Sequence, residues 1–137
     1  MLEGTFNLNL TKSIRRRGLF CYKTADRFHP GVPDIYIAGG HWIESKVLKV
    51  GGQNRNVNIW EKLSPAQQEF GKDLLEAGDT VFLAYRIEGK TSKHLLIHHF
   101  HQVKHAPIRS VNELLAADPI TSEKDYDVDR FVERIKS

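Results

Sequence analysis

Two charged residues stand inside the most apolar strand-like stretch of the chain. The segment Trp42–Leu48 carries Glu44 and Lys46 among residues that suit a central strand. Charges on a buried strand are costly unless they are paired or bound to metal. Their two-residue spacing sends both to one face of the strand. Asp34 lies on the preceding strand, across a turn at Gly39-Gly40. Whether it joins them depends on the register of that one hairpin, because a slip of one residue moves a side chain to the other face. A two-residue loop puts Asp34 opposite Ser45 and separates the acids. A three-residue loop, Ala38-Gly39-Gly40, puts it opposite Glu44, and directly opposed residues share a face. Such loops place a glycine in the left-handed region beside a bulge, and Gly40 fits. We therefore expect a loop of odd length or a bulge near Asp34. The simpler alternative is a surface salt bridge of Lys46 with either acid.

If the acids meet, they repel unless a cation sits between them. Hard divalent ions take oxygen ligands and keep several waters. Such an ion stabilises charge on a phosphate under attack and acidifies a bound water. A lysine beside that water orients it or stabilises developing negative charge.

The flanking sequence predicts an α/β fold, a mixed β-sheet with helices packed on it, in the order α-β-β-β-α-β-β-α-α. Leu2, Phe6, Leu10 and Ile14 recur every four residues and predict a helix over 2–17 with those residues facing a core. Leu19–Thr24, Asp34–Ala38 and His41–Leu48 read as strands. Residues 49–62, rich in Gly and Asn, read as a loop. Ser64-Pro65-Ala66-Gln67 predicts a helix start, with a Ser cap, Pro at the first position and Gln completing a capping box. Phe70, Leu74 and Leu75 would form that helix's buried face. Thr80–Ile87 and His94–Val103 read as strands joined by a turn at 88–92. Ser110 and Glu113 predict a short helix through Ala117, and Tyr126–Lys136 a terminal helix.

At 137 residues the chain suits one domain, with a core over about 1–103 and a C-terminal helical extension over about 108–137. No apolar run approaches the roughly 18 residues of a membrane span. The early charged residues do not look like a secretion signal. The single cysteine, Cys21, excludes an internal disulfide and suits a reducing, cytoplasmic setting. It reads as a small buried residue.

The net charge of +3 is unevenly spread. Residues 1–30 hold six Lys or Arg against two acids, residues 89–110 hold four basic residues and no acid, and the last 25 residues are acidic. A basic body suits a polyanionic partner such as nucleic acid, although a solvated asymmetric surface is the bland alternative. Arg15, Arg16 and Arg17 close the first helix, where cations suit the dipole, and are also candidates for phosphate contact. Tyr22, Lys23, Arg27 and Lys49 are further candidates for the nucleic-acid cleft. Trp42 and Trp60 read as packing residues rather than base-stacking platforms. His99 and His101 share a strand face at a spacing possible for zinc, but no cysteine or acid nearby completes such a site.

Gly-Val-Pro-Asp (31–34) followed after nine residues by Glu-Ser-Lys (44–46) resembles the PD-(D/E)XK nuclease signature. The Leu-Ser-Pro-Ala-Gln segment (63–67), with its helix and strand, resembles the virus-type replication-repair nuclease branch, VRR-NUC. The resemblance covers roughly residues 1–87. It implies a restriction-endonuclease-like core, α-β-β-β-α-β, and a metal-dependent endonuclease cutting DNA phosphodiesters with Mg²⁺, or Mn²⁺ in its place. It implies Asp34 and Glu44 as metal ligands, with the Ser45 carbonyl as another, and Lys46 positioning the water. It further implies an acid on the first helix, where Glu3 stands. Glu3 also suits the helix dipole, and Gln67, which matches a glutamine near such sites, is equally explained by its capping box. The small members of this kind resemble phage and repair enzymes. The expectation is a Holliday-junction-resolvase-like enzyme acting on branched DNA as a homodimer, because a symmetric junction suits a two-fold dimer. The alternatives are a sequence-specific restriction-type nuclease, and a non-catalytic nucleic-acid-binding module on the same fold. The 49–62 loop and residues 88–137 have no counterpart in the resemblance.

Overall fold

The computed structural model describes residues 2–24, 29–49, 59–88, 93–105, 121–123 and 128–137. Arg27, most of the expected 49–62 loop, the turn at 89–92 and the expected Ser110–Ala117 helix lie outside the described residues. The elements are α1 (Glu3–Arg16), β1 (Cys21–Lys23), β2 (Ile35–Ile37), β3 (His41–Lys49), a 3₁₀ turn (Trp60–Lys62), α2 (Pro65–Glu76), β4 (Thr80–Glu88), β5 (Lys93–His99), α3 (Phe100–His105), β6 (Thr121–Glu123) and α4 (Asp129–Lys136). The strands form one mixed six-stranded sheet in the order β1-β2-β3-β4-β5-β6. Among the described residues only the β3–β4 pair is parallel, and α2 lies on the crossover between them.

Both sheet faces are covered, which explains the apolar character of the central strands. On one face α1 packs Phe6, Leu10 and Ile14 against Ile35, Ile37, Ile43 and Phe82, and α4 adds Phe131 and Val132. On the other, Leu63 and Phe100 pack with Val81, Leu83 and Tyr85, and Leu74 and Leu75 of α2 cover them half-buried. Among the described residues, no helix is long and apolar enough to cross a membrane.

Three expectations change in detail, and one strand was not expected. Leu2 does not join the stripe of α1: it is the N-cap residue and 78 % exposed. Phe70 is half-buried rather than core, and Gly71 is the buried residue of α2, where the Phe100 ring leaves no room for a Cβ. The strand expected to reach Val103 stops at His99, and α3 begins at Phe100. The Gln102 side chain accepts from the His99 amide at 2.9 Å, capping a helix start within an otherwise strand-like run. No sequence signal marked β6, a three-residue strand antiparallel to β5.

The β2–β3 hairpin sets the register. Ile35 pairs with Ile43, Tyr36 with Trp42 and Ile37 with His41, leaving Ala38-Gly39-Gly40 as a three-residue loop. Gly39 and Gly40 have φ of 103° and 85°, a region that side chains with a Cβ enter only at a cost. A Cβ on Gly40 would also lie 2.8 Å from Asp79 Oδ1. Gly40→Ala is therefore expected to lower the unfolding free energy by about 1–3 kcal/mol. Gly4→Ala, in α1 with open space around it, should be neutral or stabilising by up to ~1 kcal/mol. Urea titrations with unchanged m-values check both.

Candidate active site

The register carries Asp34 into line with Glu44, one step beyond the Ile35–Ile43 pair. The next step would set Pro33 opposite Ser45, and proline has no N–H to continue the ladder. The Asp34 side chain takes over instead. Its Oδ2 accepts from Ser45 N at 2.9 Å and lies 3.0 Å from Ser45 Oγ. Ser45 Oγ also contacts Asn7 Oδ1, which ties α1 to the same point. Ser45 is fully buried and Asn7 nearly so, so this polar cluster sits inside the α1 core.

Asp34 reaches this position through the loop before it. Thr24 N donates to the Asp34 carbonyl at 2.9 Å, and Thr24 Oγ1 to the Pro33 carbonyl at 2.5 Å. Gly31 has φ of 87°, and a Cβ there would lie 2.2 Å from the Ala66 carbonyl oxygen. Gly31 is therefore where the loop presses directly on the first turn of α2.

Glu44 is the costly residue. It is only 4 % exposed, and its Oε2 is buried with no hydrogen-bond partner among the described residues. Its Oε1 accepts from Gln67 Nε2 at 3.0 Å. Burial, reinforced by the neighbouring Asp34 carboxylate, pushes the Glu44 pKa up to about 10; Lys46 opposes the shift and Glu3 adds to it. Gln67 serves two partners at once. Its Oε1 accepts from Ser64 N at 2.8 Å, completing the capping box with the Ser64 Oγ contact at 3.1 Å, while its Nε2 holds Glu44.

Next to Lys46, along the C-terminal half of β3, lies a cavity of about 290 Å³ lined by Glu3, Lys46, Val47, Leu48, Lys49 and Lys62. It brings three lysines together with one acid. Lys62, on the 3₁₀ turn, was not anticipated from the sequence; no periodicity points to a lone lysine at the end of a loop. Tyr85 was also missed. It is fully buried on β4 in register with Lys46, its hydroxyl lacks a partner among the described residues, and burial and Glu44 raise its pKa.

The arginine cluster sits elsewhere. Glu3 and Arg16 mark the two ends of α1, roughly 20 Å apart by the helical rise. Arg15 Nε donates to the Cys21 carbonyl at 2.7 Å, and Arg17 pairs with Asp129 at 2.5 Å. Arg16, Tyr22, Lys23 and Lys49 are exposed. Among the described residues no three His, Cys, Asp or Glu side chains gather as a metal site. The oxygen donors available beside one another are therefore two carboxylates and main-chain carbonyls, with Glu3 further off across the cavity.

No family model matches the chain, and no curated protein matches it. Among solved structures it is similar to Hjc, a Holliday junction resolvase from the archaeal hyperthermophile Archaeoglobus fulgidus. The TM-score is 0.52 at 11 % identity, over 93 % of this chain and 98 % of that chain. The likeness is one of fold: the mixed sheet with flanking helices is a restriction-endonuclease-like α/β core.

Two expectations follow. Folded Glu44 keeps its proton to about pH 10, whereas an unfolded glutamate releases it near 4.5. The unfolded chain then binds fewer protons across that window, so stability falls as pH rises through it. Glu44→Gln should match the wild type near pH 4.5 and melt roughly 3–8 °C higher at pH 8.5 in EDTA. Gly31→Ala meets a backbone obstacle as well as a strained φ, and should cost about 2–4 kcal/mol in chemical denaturation.

Proposed function

We propose that this chain is a metal-dependent nuclease hydrolysing DNA phosphodiesters at Asp34, Glu44 and Lys46. The observation that carries this reading is two carboxylates aligned across one hairpin, one buried with an oxygen unpartnered among the described residues, and Lys46 on the same face lining an adjoining cavity. The donor set fits a hard divalent ion. Mg²⁺ is typically held by one or two carboxylates and waters, and a cation is what allows two adjacent acids to stay ionised together. Asp34, Glu44 and the Ser45 carbonyl would hold Mg²⁺, or Mn²⁺ in its place. When bound, the ion supplies charge stabilisation at the phosphoryl oxygens and a more acidic water.

The chain's own groups do the rest. Lys46 orients the attacking water and donates to developing negative charge. Gln67 is a positioning residue: it fixes Glu44 Oε1 and leaves Oε2 to the site. Glu3 contributes negative field from across the cavity. Lys49 and Lys62 neutralise flanking phosphates, which sets register on the nucleic acid without reading its sequence. The fold likeness to a Holliday junction resolvase supports branched DNA as substrate, and a symmetric junction suits a two-fold homodimer as the working form; the single cysteine suits a reducing setting inside the cell.

The test is cleavage of four-way-junction, flapped, duplex and single-stranded DNA with Mg²⁺, Mn²⁺ or EDTA. Expected are metal-dependent cutting with preference for the junction, background activity in Asp34→Ala and Glu44→Ala, and a loss of about 10²–10⁴-fold in Lys46→Ala. Cutting in EDTA, or full activity in Asp34→Ala and Lys46→Ala, overturns the mechanism. Binding without cutting under any metal makes the chain a non-catalytic module, and equal cutting of all substrates removes the junction preference.

A further inference from the structure

A row of aromatic rings crosses the sheet beside the acids. Tyr22 pairs with Tyr36, and Tyr36 with Trp42, so the three stand side by side across β1, β2 and β3. Their ring centroids are 5.6 and 4.7 Å apart, and Phe20 extends the row at 6.1 Å from Tyr22. Trp42 precedes Glu44 by two residues and Tyr36 follows Asp34 by two, so the row shares the face of the acids and Lys46.

Exposure rises along the row. Trp42 and Tyr36 are half-buried, Tyr22 is 44 % exposed and Phe20 is 67 % exposed. The α1 and α4 helices pack on the opposite face, through Cys21, Ile35 and Ile37. The inner end is held rigid, since Trp42 Nε1 donates to Asp79 Oδ2 at 2.9 Å. Three rings at strand spacing span roughly 10 Å. Lys46 shares the row's face, four residues along β3 from Trp42, whereas Lys23, next to Tyr22, projects to the other face beside Ile35.

We propose that this row is a stacking platform for unpaired nucleobases next to the phosphate being cut. The proposal rests on the nuclease reading above and names its substrate class: DNA with single-stranded nucleotides beside the cleavage point. A base in a duplex has both faces covered by its neighbours. A base released at a branch or flap offers a π-face, which aromatic side chains hold without regard to sequence. The row runs on to Lys46 and the candidate site on the same face, which favours a polyanion over an apolar protein partner, and the fixed Trp42 lets the platform bind without first ordering itself.

Binding is measured by fluorescence anisotropy in EDTA, with oligo-dT, flapped duplex and blunt duplex as probes, and Trp fluorescence is followed alongside. The wild type should bind oligo-dT and the flap more tightly than the blunt duplex, with quenching of tryptophan emission. Phe20→Ala/Tyr22→Ala should weaken oligo-dT and flap binding about 10- to 100-fold and leave the blunt duplex within about twofold. Tyr22→Phe keeps the ring and should restore tight binding in the Phe20 background. Equal affinity of the wild type for flap and blunt duplex, or no change in the double variant, overturns the platform. So does a dimer that becomes monomeric in the double variant by light scattering, which would make the row a self-association surface. Ring-dependent oligo-dT binding without cleavage under any metal leaves the platform standing and removes the nuclease. Metal-dependent cleavage that is lost in Lys46→Ala but indifferent to the rings does the reverse.

Discussion

The hydrogen-bond ladder between β2 and β3 stops at Ile35–Ile43, because the residue that would face Ser45 next is Pro33. Pro33 has no N–H for the Ser45 carbonyl, and its own carbonyl accepts from Thr24 Oγ1, so the buried Ser45 N–H needs another acceptor, without which the cost is roughly 1–3 kcal/mol. The Asp34 carboxylate accepts from that N–H at 2.9 Å. One bond thus closes the hairpin end, fixes the carboxylate beside Glu44 and leaves the Ser45 carbonyl facing a residue that cannot donate to it. Asn7, reaching in from α1, ties the same serine to the helix on the opposite face. The site is where the ladder breaks, and the break is written as a proline followed by an aspartate.

Glu44 brings the opposite problem. Its carboxyl is buried next to another acid, so its charged form is disfavoured in the folded chain. Sequence-level rules for a stable core are violated here, as they commonly are where a protein concentrates function. The surroundings limit the damage rather than remove it. Gln67 shares one side-chain amide between the cap of α2 and Glu44, so the start of that helix and the position of the acid are linked. Gly31 allows the Asp34 loop to lie directly on the same helical turn. Three segments far apart in sequence meet at the first turn of α2.

What could be read from the chain divides along physical lines. The hairpin register was legible because it is a local parity question: a Gly-Gly turn, an odd loop and alternating side chains leave few solutions. The α2 start was legible because a capping box has a fixed spacing. The α1 stripe was legible from Phe6 onward, while Leu2 carried the periodicity one turn too far, into the N-cap. The end of β5 was hidden because its stop signal is a side chain three residues downstream. The cavity lysine Lys62 and the aromatic row were hidden for another reason. Each depends on neighbours brought in by strand pairing or packing, and Tyr22, Tyr36 and Trp42 taken singly are ordinary strand residues. The polarity of the Arg15–Arg17 cluster was plain, but its distance from Glu3 follows only from the length of the helix.

The pairing of β3 with β4 bears on how the chain is made. Asp34, Glu44 and Lys46 all lie before residue 50, yet β3 is paired along its whole length with Thr80–Glu88, its parallel neighbour in the sheet. Before residue 50 only α1 and the short strands β1 and β2 support β3. A ribosome that has released Asp34, Glu44 and Lys46 has therefore delivered only one of the two strand neighbours of β3, and neither Gln67 nor Lys62. Only when β4 emerges, after the crossover helix, does β3 gain its second neighbour and Glu44 its buried setting. Translation itself then postpones the assembly of the candidate site until most of the sheet has been synthesised.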